Sequence, residues 1–206
     1  MIRPTAGTPM ADALVTLLHS MAASLRQSNL PICQDIALAL DDAVGRAESA
    51  AAPASTGIAA AIFDDINRQL AHNQPNLFWH IRQAMPGLTW RHPGFGRVPD
   101  HIAAGMAVCE IIGPTGQITH DRIRAGLLFQ ASGMTYPRHS HAAEEIYLSL
   151  SGPVDWQVDD ADWYQRQAGE FIHHLPYQPH ATCTGETALL AIWGWAGDIA
   201  ADSYKI

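Results

Sequence analysis

The stretch "GMTYPRHSHAAEEIYLSLSG", residues 133–152, sets two histidines, two glutamates and two tyrosines between a pair of glycines. Imidazole and carboxylate both bind divalent transition ions, and a phenol is a candidate acid or base. Side chains two apart on a strand share a face. By that rule Glu145 and Tyr147 point one way, while Ile146, Leu148 and Leu150 point the other. His139 and His141 have the parity of Glu145 and Tyr147. All four can enter one interior, provided the bend at Ala142 and Ala143 preserves the strand direction. Two imidazoles and a carboxylate aimed at one point are too polar to bury without a partner. A single divalent ion is that partner, and zinc, iron, manganese and nickel all suit such donors.

A cage of this kind needs short strands to aim it. From about residue 89 the chain supplies them, as "AGMAVCEII", "IRAGLLFQA", "EEIYLSL", "VDWQV" and "ALLAIWGW" alternate with Gly, Pro and Asp turns. This spacing predicts an antiparallel sandwich or small barrel over 89–206. Residues 1–88 read differently. Leu14, Leu17, Leu18, Met21 and Leu25 recur at helical steps, with Thr8 and Pro9 as a cap and first-turn pair. Ile36, Leu40 and Val44 predict a second helix, and Ile58, Ile62, Ile66 and Leu70 a third after a break at Pro53 and Gly57. "NLFWHIRQAM" predicts a short fourth. The expected fold is thus mostly β, with an α-helical N-terminal region packed on a barrel.

Composition narrows the partners. Hydrophobic residues make up 48% and charged residues 16% of the 206, which suits one packed unit with a sizeable core. The net charge is −8, and Lys205 is the one lysine beside eleven arginines, so a basic nucleic-acid footprint is not expected. Cys33, Cys109 and Cys183 stand far apart, with no thiolate zinc pattern and no disulfide framework, as in a reducing compartment. No run reaches the roughly 20 apolar residues of a membrane span, and the first residues do not read as a signal peptide. The expected location is cytoplasmic.

The spacing in the opening stretch is strict: Gly133, five residues, His139-x-His141, three residues, Glu145, six residues, Gly152. It resembles the first motif of the cupin superfamily at every defined position. The second cupin motif is matched loosely by "GEFIHHLPYQPHA". Gly169 to His180 keeps the usual step, but Pro176 sits one residue late, Gln178 stands at the usual glycine, and the closing asparagine is absent. His180 is the expected fourth ligand. His173 and His174 are substitutes for it or a pair packed beside the barrel mouth.

Tyr136 lies three residues before the first histidine and Tyr147 two after Glu145. With "PYQPHA" and "WGWAGDI" downstream, the chain resembles the cupin-type dimethylsulfoniopropionate (DMSP) lyases, especially the DddQ group, with the DddL, DddW and DddK groups sharing the motif. The resemblance implies cleavage of DMSP to dimethyl sulfide and acrylate. It implies His141, Glu145 and His180 as metal ligands with His139 contributing or close by, Tyr147 as a ligand that yields to substrate, and Tyr136 as catalytic base. A tyrosine titrates near about 10, so such a base needs the metal's field or a neighbouring cation, and Arg138 and His139 are nearest in sequence. Trp193 and Trp195 share parity with Leu189 and Ala191 and either line a pocket for the cationic sulfonium or fill the core. Trp156, Trp163 and Tyr164 are weaker candidates in a turn-rich segment. Two rivals use the same cage: a metal-dependent dioxygenase or isomerase of a small carboxylate, and a non-catalytic metabolite-binding cupin. Cupins often pair through strands, so a homodimer is compatible with the family.

Overall fold

The computed structural model describes residues 9–47, 50, 58, 60–72 and 76–206. The cap at Thr8 and the break at Pro53 and Gly57 lie outside the described residues. The helices that come first are α1 (Pro9–Leu25), α2 (Pro31–Val44), α3 (Ala60–His72) and α4 (Asn76–Ala84). Pro31 opens α2, where its missing N–H costs no helical hydrogen bond. Ile58 is not in the third helix as the step of four suggested. It precedes α3 and is buried, so its spacing from Ile62 reflects a shared core and not helical phase.

The strands are β1 (Trp90–Arg91), β2 (Met106–Gly113), β3 (Ile118–Thr119), β4 (Ile123–Gln130), β5 (Thr135–His139) and β6 (Ala143–Ser149), then β7 (Val154–Val158), β8 (Tyr164–Arg166), β9 (Phe171–His174), β10 (His180–Thr184) and β11 (Leu189–Gly197). The larger sheet runs β1-β2-β4-β11-β6-β9, with β3 beside β2. The smaller runs β5-β10-β7-β8. Every named pairing is antiparallel except that of β2 with β3. The five apolar runs of the sequence are β2, β4, β6, β7 and β11.

Alternation sorts the large sheet into two faces. Ile146, Leu148, Cys109, Leu127, Phe129 and Ile192 join Leu17, Leu18, Met21, Ile36 and Leu40 of α1 and α2 in one core. Tyr147, Met106, Val108, Leu128, Trp193 and Trp195 face the small sheet, where they meet Tyr136 and Trp156 in a second core. With helices on one side and a sheet on the other, β2 and β4 are buried along their whole length, and so they read as unbroken apolar runs. Among the described residues no helix is long and apolar enough to cross a membrane.

Two glycines permit these contacts. A Cβ at Gly194 would meet Ile36 Cδ1 at 2.5 Å, so α2 rests directly on β11. At Gly126 a Cβ would lie 1.8 Å from the Cys109 carbonyl oxygen, beside the register shift between Glu110 and Ile112. Backbone, unlike a flexible side chain, has little room to yield there. Gly126→Ala is expected to cost about 3 kcal/mol, at the upper end for overpacking, with a lower urea midpoint. Gly45→Ala is the control: it has ordinary helical dihedrals and open space, and is expected to gain about 0.4–1 kcal/mol.

Candidate metal centre

The parity argument placed the histidines and Glu145 along one continuing strand. They lie in different sheets instead. His139 ends β5 in the small sheet, Glu145 belongs to β6 in the large one, and Ser140–Ala142 crosses between them. The crossing is pinned: Ser140 N–H donates to the Lys205 carbonyl at 2.9 Å, and Lys205 N–H returns the bond at 2.8 Å. Convergence therefore comes from two sheets facing each other. His139 and His180 are register partners on β5 and β10, while Glu145 pairs with Trp195 on β11 and His174 on β9.

One donor atom each from His141, Glu145 and His180 lies within 4.8 Å of the others, and all three residues are buried. His141 Nε2 is 3.2 Å and His180 Nε2 3.0 Å from the same oxygen, Glu145 Oε2. The opposite nitrogens decide what these contacts are. His141 Nδ1 faces the Ala143 carbonyl at 3.1 Å and His180 Nδ1 the Gln178 carbonyl at 2.9 Å. A carbonyl only accepts, so each Nδ1 carries a proton, and in the neutral form of such a ring Nε2 turns a lone pair on the carboxylate. Lone pairs facing a carboxylate repel unless a cation stands between them. His180 Nε2 is buried without a hydrogen bond despite its short distance to Glu145, because the geometry is wrong for one. Two imidazole nitrogens and a carboxylate oxygen are a donor set that fits a divalent transition ion.

Glu145 is itself oriented. Trp195 Nε1–H donates to Oε1 at 2.6 Å, and His174 Nδ1 lies 3.2 Å from Oε2. His174 Nε2 accepts from Trp156 Nε1–H at 3.1 Å, so its Nδ1 carries the proton and donates to Glu145. Burial, then His180, pushes His174 down to about 4. Of the two substitutes for His180, then, His174 is an inner partner of Glu145. His173 is on the other face, 2.6 Å from Glu144.

His139 stands beside these three donors rather than among them. Its ring lies 4.1 Å from that of His180 and 4.2 Å from that of Tyr136, and Nδ1 bonds the Pro137 carbonyl at 2.8 Å. Burial and His180 hold it well below the usual imidazole range, so it brings no charge to Tyr136. Arg138 brings none either: its guanidinium turns outward to Asp160 at 2.9 Å. Tyr136 and Arg138 share strand parity, yet Arg138 is exposed while Tyr136 and His139 are buried, where the register of β5 against β10 shifts.

Tyr136, Tyr147, Trp193 and Trp195 line a common cavity with His139 and Glu145, and Phe95 and Tyr204 complete its wall. The space left is about 30 Å³, room for about two waters. Burial, then neighbouring tyrosines, pushes Tyr136 well above the usual phenol, and burial with Glu145 does the same to Tyr147. Trp195 already meets two tilted rings, His141 at 4.1 Å and Phe95 at 5.7 Å, while Trp193 meets it edge-on. Trp156 sits in β7 and not in a turn. Phe95 is a residue that sequence reasoning missed, although the flanking glycines of "PGFGR" hint at it. Gly94, Phe95 and Gly96 have φ of 69°, 52° and 82°, and the Arg91 and Arg124 guanidiniums cover the Phe95 ring at 4.7 and 5.1 Å.

Comparison with known proteins places this site in a family. The model of the DMSP lyase family, dimethylsulfoniopropionate lyase, matches residues 10–191. The chain belongs to the DMSP lyase family. A Cereibacter sphaeroides protein assigned as dimethylsulfoniopropionate lyase DddL is 37% identical over 112 residues, 53% of this chain and 46% of that protein. Dimethylsulfoniopropionate lyase DddQ of Ruegeria pomeroyi is 32% identical over 89 residues, 43% of this chain and 44% of that protein. The chain thus spans about half the length of the curated relatives it matches. The crystal structure of DMSP lyase DddQ from Ruegeria pomeroyi superposes with a TM-score of 0.65 at 22% identity, covering 91% of this chain and 93% of that one. A chain from the crystal structures of DMSP lyases RdDddP and RnDddQII gives 0.68 at 19%, covering 95% and 98%. The fold of this DMSP lyase family member is the cupin barrel with a helical N-terminus.

The donor geometry yields a graded expectation for metal retention. Replacing His141, Glu145 or His180 by Ala should abolish stoichiometric binding while the fold survives. Trp195→Phe and His174→Ala should weaken it about 10–100-fold by releasing Glu145. His173→Ala should change nothing. Chelator competition followed by metal analysis ranks the variants, and full occupancy in all three donor variants would reject the cage.

Proposed function

We propose that this chain cleaves DMSP into dimethyl sulfide and acrylate by a metal-dependent β-elimination that Tyr136 begins. One juxtaposition carries the reading: the Nε2 atoms of His141 and His180 gather on one oxygen of Glu145, and Glu145 lines an aromatic pocket that contains a buried phenol. The substrate has a carboxylate at one end and a sulfonium at the other, and the two halves of the pocket match them. His141, Glu145 and His180 would hold the divalent ion, with His139 alongside. Bound there, the ion would supply positive charge beside the substrate carboxylate, a Lewis acid against the anion developing at the α-carbon.

The chain's own side chains do the rest. Once ionised to the phenolate, Tyr136 Oη takes the α-proton, the freed electron pair becomes the new C=C bond, and the C–S bond breaks to release neutral dimethyl sulfide. The protein around Tyr136 keeps it protonated by burial, and neither Arg138 nor His139 offsets this, so the role depends on the bound cation. Tyr147, two residues along the same face from Glu145, is assigned to substrate contact at the centre. Trp193 is the better sulfonium wall, because Trp195 is committed to Glu145 and already meets the rings of His141 and Phe95. Burial of Tyr136, Glu145, Tyr147, Trp193 and Trp195 keeps bulk water from the reacting carbon.

Headspace gas chromatography of metal-loaded protein with DMSP tests the reaction, and no dimethyl sulfide above a metal-free control would reject it. Tyr136→Phe keeps the ring and should lower kcat by at least about 10²-fold with little change in KM. Near-normal turnover there beside an inactive Tyr147→Phe would exchange their roles. Trp193→Ala should weaken substrate binding by about thirtyfold, the equivalent of about 2 kcal/mol, and Trp193→Phe by less. Equal effects of the two changes would mean packing alone.

A further inference from the structure

Tyr136 is held by more than its own strand. Its hydroxyl lies 2.6 Å from that of Tyr204, which is 68 residues away in sequence. Nothing in the spacing around Tyr204 marks it as a site residue, yet it is buried and lines the same cavity. The segment that carries it is fixed by main-chain bonds. Ser140 and Lys205 exchange a pair at 2.9 and 2.8 Å, and Ala142 N–H donates to Ser203 Oγ at 3.0 Å. These bonds attach the segment to the crossing that also delivers His141.

The ring is confined as well. It lies 13° from parallel to the His141 imidazole at 6.3 Å and meets Phe95 edge-on at 6.3 Å. A Cβ at Gly94 would approach Tyr204 Cε1 to 3.3 Å, and glycine leaves that space clear. A phenol so enclosed presents its oxygen at one place. Tyr136 has its ring packed on His139 at 4.2 Å, and among the described residues the hydrogen bond recorded for its oxygen is the one to Tyr204.

We infer that Tyr204 is a positioning residue for Tyr136: its hydroxyl hydrogen-bonds Tyr136 Oη and sets where that oxygen stands against the substrate, so residues 201–205 complete the active site. The inference rests on the base role proposed for Tyr136. A proton is transferred over hydrogen-bond distances, and a misplacement of about 1 Å costs on the order of 10²-fold in rate. The Tyr204 ring touches no part of the reaction in this scheme. It acts through Tyr136.

Tyr204→Phe removes the hydroxyl and keeps the ring. In the metal-loaded protein its kcat with DMSP should fall about tenfold or more while KM stays within about twofold. Added to Tyr136→Phe, it should cause little further loss, because the hydrogen bond is already gone. A kcat within twofold of the unchanged protein, or a loss that multiplies in full with that of Tyr136→Phe, would overturn the inference. Fluorine NMR of protein labelled with fluorotyrosine, the Tyr136 signal assigned through Tyr136→Phe, reads the contact without turnover. Tyr204→Phe should move the Tyr136 signal, and an unmoved signal overturns the inference. If the unchanged protein releases no dimethyl sulfide, the proposed reaction fails and the fluorine signal alone decides for or against the contact.

Discussion

A carboxylate removed from water costs several kcal/mol unless its surroundings replace the lost hydration. Glu145 sits 2% exposed at the centre of the barrel, and much of the architecture serves that one charge. An indole N–H takes one oxygen and a protonated imidazole nitrogen the other, both from the strands flanking β6. What remains uncompensated is the side facing His141 and His180, where lone pairs meet lone pairs. The fold spends two strand registers on orienting the carboxylate, and its other side faces His141 and His180 in a donor set that fits a divalent ion.

Placing that charge between two sheets, rather than on one, has a geometric reason. Donors on a single strand repeat along a line, so they cannot surround a point. Facing sheets bring β5 and β10 against β6, and the short crossing at Ser140–Ala142 adds His141 from a third direction. The helical layer matters indirectly. By burying the outer faces of β2, β4 and β11, α1 and α2 leave those strands no solvent side; Gly194 lets α2 close onto β11, and Gly126 lets β4 close onto β2 at their register shift.

Much of this was legible in the residues. The run Glu145-Ile146-Tyr147-Leu148 shows its two faces without any structure, and the five apolar strands and four helices follow from periodicity. Trp193 and Trp195 were assigned to one face correctly by parity, but parity does not tell which indole is tied to a carboxylate. His174 was read as a substitute for His180, since spacing cannot separate a ligand from the partner of a ligand. Arg138 was counted near Tyr136 by sequence distance and shares its strand parity, but β5 pairs irregularly with β10 and Arg138 is turned to solvent. Tyr204 and Phe95 carried no such signal, because their neighbours in the pocket are tens of residues away and only the folded chain assembles them.

The rings of His139, His141 and His180 are each clamped by a carbonyl two residues away, of Pro137, Ala143 and Gln178. A main-chain oxygen is present whatever side chain stands at its position. The orientation of the imidazoles is therefore written in the path of the backbone, and loop residues can drift without turning a ring. In the second motif the left-handed residue of the turn is Tyr177, with φ of 62°, one place before the glycine's usual position at Gln178. The departures at Pro176 and Gln178 are changes such a clamp absorbs. Divergent members of a lineage can lose the written motif and keep the chemistry.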